Sequence, residues 1–143
     1  MPSTTFSVPD LVRYGPTIRN AQVFISKLLE EKLQSERILL PEPVPVQAMV
    51  DTGAAGTVIK DDVPPKLGLH PVGQVKVTTP STADMLCDVY FIRIGFQAGV
   101  TVETTAIATP LENQHVQCLI GRDVLARGVL IYIGYVNSFT LSF

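Results

Sequence analysis

Residues 50–60 read Val-Asp-Thr-Gly-Ala-Ala-Gly-Thr-Val-Ile-Lys, and the Asp51–Ala54 core of this stretch is the most informative feature of the chain. It places a carboxylate on a glycine-containing turn, with apolar residues at 48–50 before it and at 58–59 after it. Asp-Thr-Gly also occurs as an ordinary turn, because Asp and Gly are both favoured in turns. The triplet therefore needs support from elsewhere in the chain before it indicates a catalytic loop.

The second informative stretch is Cys-Leu-Ile-Gly-Arg-Asp-Val-Leu at residues 118–125. Together, in this order and at this separation, the two stretches resemble the retropepsin-like (retroviral-type) aspartic proteases. The resemblance is especially close to the bacterial single-domain members of that family, in which Gly-Arg-Asp-Val-Leu and a Phe-Thr-Leu-x-Phe or Phe-Thr-Leu-x-Tyr tail recur. The corresponding tail of this chain is Phe139–Phe143.

The resemblance implies an all-β fold, a closed acid-protease barrel with one short C-terminal helix, assembled as a dimer. In that fold the second stretch passes behind the Asp loop, supports it with its apolar pair, and opens the helix. We expect the protease domain at residues 17–143, after an irregular arm at residues 1–16 that contains several prolines. In the family the terminal strands of the two subunits interleave, so residues 139–143 are expected to pair with the partner.

Aspartic proteolysis needs two carboxylates that share one proton, because two ionised carboxylates cannot lie about 3 Å apart. The chain contains a single Asp-Thr-Gly or Asp-Ser-Gly triplet, so the second carboxylate must come from another copy. The resemblance thus implies a C2 homodimer. Its activity would be that of an aspartic-type endopeptidase, a hydrolase that cleaves peptide bonds with a water activated between Asp51 of each subunit.

Roles for the loop residues follow from the resemblance. Asp51 is the catalytic acid and base, and the Thr52 hydroxyl is expected to bond across the dimer. Gly53 lets the backbone approach the substrate and the partner carboxylate. Arg122, at the start of the helix, is expected to tether the helix to neighbouring backbone, which is a structural role.

The residues that would bind the polypeptide substrate come from the loop and from a hairpin that covers it. Many retroviral enzymes have Asp after Asp-Thr-Gly-Ala, and Ala stands there in this chain, which shifts peptide binding towards main-chain hydrogen bonds and apolar pockets. The hairpin of viral enzymes is rich in glycine, whereas residues 76–84 contain none. The predicted substrate-binding residues are Ala54, Ala55, Thr78, Thr79, Pro80, Ser81 and Thr82.

Length and composition favour one globular domain. The chain has 143 residues, 46% of them hydrophobic and 17% charged, which is enough for one core. The net charge of −2 offers no basic surface for nucleic acid. The N-terminal residues lack a basic region followed by an apolar run, and no stretch is long and apolar enough to cross a membrane. We expect a cytoplasmic protein with neither nucleic acid nor membrane as a partner.

Cysteine and histidine spacing argues against a metal site. Cys87 and Cys118 form no Cys-x-x-Cys pair, and His70 and His115 do not stand at metal-ligand spacing from them. Both cysteines lie in apolar runs, where a free thiol usually behaves as a small buried hydrophobe. No metal and no cofactor is therefore expected. A Cys nucleophile paired with His115 is a conceivable alternative, although nothing nearby supports it.

The hydrophobic pattern predicts mostly short strands. A change to helical spacing of leucines predicts a short amphipathic helix over Ser26–Glu36, and Gly121–Arg127 is expected to be the short C-terminal helix, ended by Gly128. The predicted strands are Thr17–Ile25, Val46–Val50, Gln74–Thr79, Met85–Ile94, Thr101–Ala108, Val116–Ile120, Val129–Ile133 and Ser138–Phe143.

Two alternatives to an active protease stay open at this point. The first is a catalytically silent retropepsin-like module that serves dimerisation or peptide binding; the altered hairpin favours it, and the intact Asp loop opposes it. The second is a Cys-based or unrelated small barrel. Fold by itself does not decide between an enzyme and a binding module.

Overall fold

A computed structural model describes residues 2–79, 82–112 and 114–143. Within them the chain forms ten strands, four α-helices and two single turns of 3₁₀-helix at Gln97–Gly99 and Gly134–Val136. The strands are β1 Ser3–Ser7, β2 Thr17–Phe24, β3 Val44–Val50, β4 Val58–Lys60, β5 Gly73–Thr79, β6 Thr82–Gly95, β7 Thr101–Thr109, β8 Cys118–Ile120, β9 Val129–Ile133 and β10 Ser138–Ser142. The helices are α1 Leu11–Tyr14, α2 Lys27–Ser35, α3 Val63–Lys66 and α4 Arg122–Leu125.

Seven strands form one sheet in the order β2-β3-β8-β4-β7-β6-β5, and β2 also pairs with β6. The strands predicted from the sequence are confirmed, with ends that differ by up to three residues. Their alternating side chains explain this success, since every second residue enters the core. In β7, for example, Val102, Thr104, Ala106 and Ala108 are buried while their neighbours are not.

Strand β8 threads between the two strands that flank the Asp loop. It runs parallel to β3, with Val50 beside Ile120, and antiparallel to β4, with Ile59 beside Cys118. Strands β3 and β4 are consecutive in the chain but are not neighbours in the sheet, because β8 separates them. The expected passage of the second stretch behind the Asp loop is confirmed.

Many β-branched residues of the seven-stranded sheet lie in the core. Ile18, Ile59, Ile92, Ile94 and Ile120 are all fully buried. Both cysteines are buried as well, which confirms that they serve as small hydrophobes rather than as surface thiols. A stiff, densely packed support of this kind fixes the position of a loop that sits on it.

The prediction of an irregular arm at residues 1–16 was wrong. Ser3–Ser7 form β1 and Leu11–Tyr14 form α1, and Phe6, Val8 and Leu11 belong to the core. The short run Ser-Thr-Thr-Phe-Ser looks polar, yet Thr4 and Phe6 face inwards in alternation with exposed residues. Pro2 and Pro9 bracket the strand instead of interrupting it, a placement that sheets tolerate.

The helix predicted over Ser26–Glu36 is confirmed as α2, and the short C-terminal helix is confirmed as α4; it is not the only helix, since α1 and α3 were not predicted. The longest helix is α2, near the N-terminus, where the Ser26 hydroxyl accepts a hydrogen bond from the Leu29 N–H at 3.2 Å and caps the helix. Helix α4 has only four residues, fewer than the predicted Gly121–Arg127. No helix among the described residues is long and apolar enough to span a membrane.

The remaining strands form a separate three-stranded sheet in the order β1-β10-β9. β10 pairs with β1 on one side and with β9 on the other, both antiparallel, and Phe139 and Leu141 of β10 are fully buried. The terminal strand was expected to interleave with a partner. In this structure both of its edges are paired within its own chain, so β10 has no free edge to offer.

Candidate active site

Asp51 follows β3 directly and is held in place by the backbone of β8. Its N–H donates to the Ile120 carbonyl at 2.9 Å, and its own carbonyl accepts from the Ala54 N–H at 3.2 Å, which closes a tight turn. The Gly53 N–H donates to Asp51 Oδ1 at 2.9 Å. The carboxylate is thereby oriented by the loop itself, and the Asp51 side chain stays partly exposed.

Glycine at position 53 leaves room for this orientation. A methyl group there would stand 3.1 Å from Asp51 Oδ1, closer than nine in ten such contacts. The amide of Gly53 could then no longer approach the carboxylate without a shift of the turn. The predicted role of Gly53, approach of the backbone to the substrate and to the partner carboxylate, stays a prediction; within the chain its small size lets its N–H reach Asp51.

Arg122 and Asp123 fasten the rest of the loop to the start of α4. The Arg122 guanidinium donates to the Thr52 carbonyl at 2.8 Å, and its backbone N–H donates to the Ala54 carbonyl at 2.9 Å. The Asp123 N–H donates to the Ala55 carbonyl at 3.2 Å. The tethering role predicted for Arg122 agrees with these contacts. Three successive donors from one short segment leave the loop little freedom.

Behind the loop lies a polar network that sequence reasoning missed. Thr57 is fully buried. Its hydroxyl donates to Asp123 Oδ1 at 2.8 Å and accepts from the Gly121 N–H at 3.1 Å, while its own N–H donates to Asp123 Oδ2 at 3.1 Å. Thr104 adds a weaker contact to Asp123 at 3.4 Å. Two signals were present in the sequence: a Thr inside the Asp loop and an Asp inside the second stretch.

The network also assigns a role to Gly121. A methyl group at this position would lie 2.6 Å from the carbonyl carbon and oxygen of Gly56, which belongs to the Asp loop. Only a residue without a side chain allows the two backbone segments to approach this closely. The close approach of the segment after β8 to the Asp loop therefore depends on glycine at position 121.

Asp123 is not available as a second catalytic carboxylate. Its oxygens accept hydrogen bonds from the backbone and hydroxyl of Thr57, from Thr104 and from the Val124 N–H at 2.9 Å. Asp62, further along, forms ion pairs with Lys60 and Lys66 instead. Among the described residues Asp51 stands alone as a partly exposed carboxylate on the loop, and no cluster that could hold a metal ion is present.

Thr52 projects from the loop into solvent. Its side chain is exposed, and its hydroxyl makes no hydrogen bond within the part of the chain that the structure describes. Its carbonyl, in contrast, is fixed by Arg122. A hydroxyl on a rigid, outward-facing turn is well placed to bond a second molecule.

The predicted substrate-binding residues fall into two groups. Ala54 and Ala55 lie on the Asp loop, with their carbonyls engaged by α4. Thr78, Thr79 and Thr82 lie on the β5–β6 hairpin, where Thr79 is beside Thr82 and the Thr78 hydroxyl donates to Asp84 at 2.5 Å. Pro80 and Ser81 lie outside the described residues. Among the described residues no hydrogen bond joins this hairpin to the Asp loop, and their contribution to one substrate site stays a prediction.

Comparison with known proteins identifies the family. The model of the family described as "gag-polyprotein putative aspartyl protease" matches residues 42–127, more than half of the chain. This chain is a member of that family. The matched range begins just before β3 and ends just after α4, so it contains the Asp loop, β8 and the network between them. The family assignment therefore covers the elements that hold Asp51.

A solved structure supports the fold. The chain is similar to a retropepsin-like aspartic protease from Rickettsia conorii, with a TM-score of 0.51, 13% sequence identity, and coverage of 99% of this chain and 94% of that one. At this identity the likeness concerns the fold alone. No match was found among curated proteins. The retropepsin-like family predicted from the two stretches is confirmed.

One cavity of this chain does not include Asp51 among its lining residues. It is half-open, has a volume of about 440 Å³, and is lined by residues that include Arg13, Arg19, Met49 and His115. This cavity is therefore not a peptide cleft over the Asp51 carboxylate.

The structure argues against a cysteine nucleophile in this family member. Cys118 is fully buried in β8, and burial followed by the Asp123 charge raises the pKa of its thiol to about 12. Burial, with a smaller effect of Asp88, also raises the pKa of Cys87. A catalytic Cys needs the opposite, an accessible thiol with a lowered pKa.

The raised thiol pKa predicts how stability depends on alkaline pH. Cys118 stays protonated in the folded state between its ordinary pKa of 9.0 and about 12, whereas the unfolded chain loses that proton, so stability falls as pH rises through this window. The slope is about 1.4 kcal/mol per pH unit for one proton. Urea unfolding between pH 8 and 10.5 should show a shallower fall for Cys118→Ala than for the wild type. Cys87 acts in the same direction, so a residual slope remains; equal slopes in both proteins would contradict the assignment.

Proposed function

We propose that this protein is a homodimeric aspartic endopeptidase in which a water is activated between Asp51 of each subunit. The observation that carries the proposal is the Asp51 loop: one partly exposed carboxylate, oriented by the Gly53 N–H and fastened at three carbonyls by Arg122 and Asp123. Such rigid positioning of an acid is what proton transfer to a bound substrate requires.

The need for a second subunit follows from the count of carboxylates. Asp123 and Asp62 are engaged elsewhere, and the loop itself supplies one. A two-fold axis close to the loop brings the Asp51 carboxylates of two subunits together. It also places the peptide cleft between the subunits, in keeping with a catalytic carboxylate that does not line the cavity described above.

The chemistry then runs through one shared proton. One Asp51 carboxylate accepts a proton from the water, which attacks the scissile carbonyl carbon, while the protonated carboxyl of the other subunit donates to the carbonyl oxygen. The tetrahedral intermediate collapses as the C–N bond breaks, with a proton passed to the leaving nitrogen. In each subunit the Gly53 N–H on Oδ1 fixes the carboxylate plane and leaves Oδ2 for the water or the partner.

The remaining assignments belong to the same proposal. The chain forms a closed acid-protease barrel. This is supported by the pairing of β2, at one end of the seven-stranded sheet, with β6 near the other end. The substrate is an extended polypeptide, covered by the β5–β6 hairpin and bound through main-chain groups near Ala54 and Ala55.

Incubation of the protein with a peptide library, with and without pepstatin, tests the activity directly. A dimer that turns over no peptide would favour the silent dimerisation or binding module.

Thr52→Ala is expected to weaken the dimer more than the folded monomer. The hydroxyl is exposed and makes no hydrogen bond among the described residues, so it is available to bond the other subunit. Loss of one net hydrogen bond on each side, roughly 0.5–1.5 kcal/mol apiece and about 2 kcal/mol in total, should raise the dimer dissociation constant about 30-fold. Activity should recover at high protein concentration, and Thr52→Ser, which keeps the hydroxyl, should resemble the wild type. Loss of activity that is independent of concentration would contradict this role.

A further inference from the structure

One of the two edges of the three-stranded sheet is strand β9, and its outer face differs from the rest of that sheet. Residues directly opposite one another in neighbouring strands share a face. On the outer face β1 and β10 carry only hydroxyl side chains, whereas β9 carries Val129, Ile131 and Ile133. The polar outer residues are Ser3, Thr5, Ser7, Ser138, Thr140 and Ser142. An apolar stripe thus runs along one edge of an otherwise polar face.

This apolar stripe is exposed. Val129 and Ile131 retain 47% and 49% of their accessible surface, and Tyr132, on the other face of β9, retains 50%. The turn that follows adds Tyr135 at 91% and Val136 at 53%. Five large apolar side chains are therefore exposed within eight consecutive residues, which is more than scattered surface hydrophobics explain.

The edge itself lacks the features that keep sheet edges from pairing. Natural edge strands carry a charge, a proline or a bulge that prevents another strand from adding to them. The sequence Val-Leu-Ile-Tyr-Ile at 129–133 contains no charge, no proline and no glycine, and its register with β10 is regular. Its outward N–H and C=O groups have no partner strand in the described chain. The opposite edge, β1, presents hydroxyl side chains and is bracketed by Pro2 and Pro9.

Strand β9 is also connected to the Asp51 loop, because it follows α4 closely in the chain. Arg122, the first residue of α4, holds the Thr52 carbonyl, and β9 begins at Val129, four residues after α4 ends. Val129 stands seven positions after Arg122, which limits the distance between their Cα atoms to about 25 Å. A contact made through β9 therefore lies within that distance of the residue that holds the Asp51 loop.

We propose that the second copy of this chain docks on β9 and that the two β9 strands pair antiparallel across the two-fold axis. This inference rests on the proposed function, in which the site is incomplete without a second Asp51. An antiparallel pair of identical strands is itself two-fold symmetric, so the isologous contact and the sheet geometry agree. Maximum overlap of the five-residue strands places Ile131 opposite Ile131 of the partner subunit. The result is one six-stranded sheet in the order β1-β10-β9-β9-β10-β1.

A cysteine cross-link tests both the edge and the register. Opposed residues in antiparallel strands have Cα atoms about 4.5–5.5 Å apart, within disulfide range. Mild oxidation of Ile131→Cys should therefore give a covalent dimer that retains activity at any dilution. Ser7→Cys, on the same face but at the β1 edge, is the matched control and should stay uncross-linked. Background from Cys87 and Cys118 is low, because both are buried. Cross-linking through Ser7→Cys, or none through Ile131→Cys in a dimeric protein, would overturn the proposal.

A charge substitution provides the second readout. Ile131→Lys places two ammonium groups against each other on the two-fold axis and should raise the dimer dissociation constant on the order of 100-fold. Ser7→Lys should leave it unchanged, and circular dichroism should show both variants folded, since both positions are exposed. Sedimentation of the wild type tests the homodimeric activity separately from the β9 interface. A wild type that is monomeric yet active contradicts the homodimeric activity. A wild-type dimer that Ile131→Lys leaves dimeric and active contradicts only the β9 interface.

Discussion

Asp51→Asn is expected to lower kcat/KM for peptide hydrolysis on the order of 1,000-fold or more. Asn keeps the shape of the side chain and can still accept the hydrogen bond from the Gly53 N–H, but it cannot take a proton from the water. Stability and dimerisation should change little, because the carboxylate makes no other bond among the described residues. The measurement is steady-state hydrolysis of a peptide identified from the library, alongside sedimentation and thermal unfolding of the same samples.

Mixing the variant with the wild type distinguishes a shared dyad from two independent sites. If one dyad uses Asp51 from both subunits, addition of an equal amount of Asp51→Asn converts wild-type dimers into inactive heterodimers. Random exchange then leaves about half of the original activity. If each subunit were catalytically complete, the added variant would change nothing. Unchanged activity after demonstrated subunit exchange would therefore exclude the shared dyad.

The sequence predicted the elements that hold the site because they depend on local patterns. The Asp51 loop and the Gly121–Arg122 segment are short, specific stretches, and their contact follows once β8 lies between β3 and β4. The strands of the main sheet alternate apolar and polar residues, which marks them without knowledge of their neighbours. The roles expected for Gly53 and Arg122 came from the resemblance to retropepsin-like proteases that these two stretches carry.

What could not be predicted depends on contacts between distant residues. Alternation in Phe139–Phe143 marks a strand, but it does not say whether β1, β9 or a partner lies beside it; the structure places β1 and β9 there. The run Ser3–Ser7 looks polar because only two of its side chains face inwards, and one of these two is a threonine and the other a phenylalanine. The pairing of Thr57 with Asp123, 66 residues apart, exists only in the folded chain.

That pairing is expected to matter for both stability and activity. The Thr57 hydroxyl links a carboxylate in α4 to the Gly121 N–H just after β8, and it lies in the loop that carries Asp51. Because Thr57 is fully buried, water cannot replace the hydroxyl. A buried donor or a charged acceptor that loses its partner costs about 1–3 kcal/mol each.

Thr57→Val should therefore destabilise the protein by about 3 kcal/mol, although valine has nearly the same shape and leaves no cavity. For a chain of this length the melting temperature should fall roughly 10 °C. Thr57→Ser keeps the hydroxyl and removes one methyl group, so its loss should stay near 1 kcal/mol. Urea unfolding of both variants gives the comparison, and peptide hydrolysis below the melting temperature reports whether the Asp51 loop has shifted. The comparison of the two free energies of unfolding tests the role of the hydroxyl. If Thr57→Ser is destabilised as much as Thr57→Val, packing of the methyl group rather than the hydrogen-bonded network holds the loop.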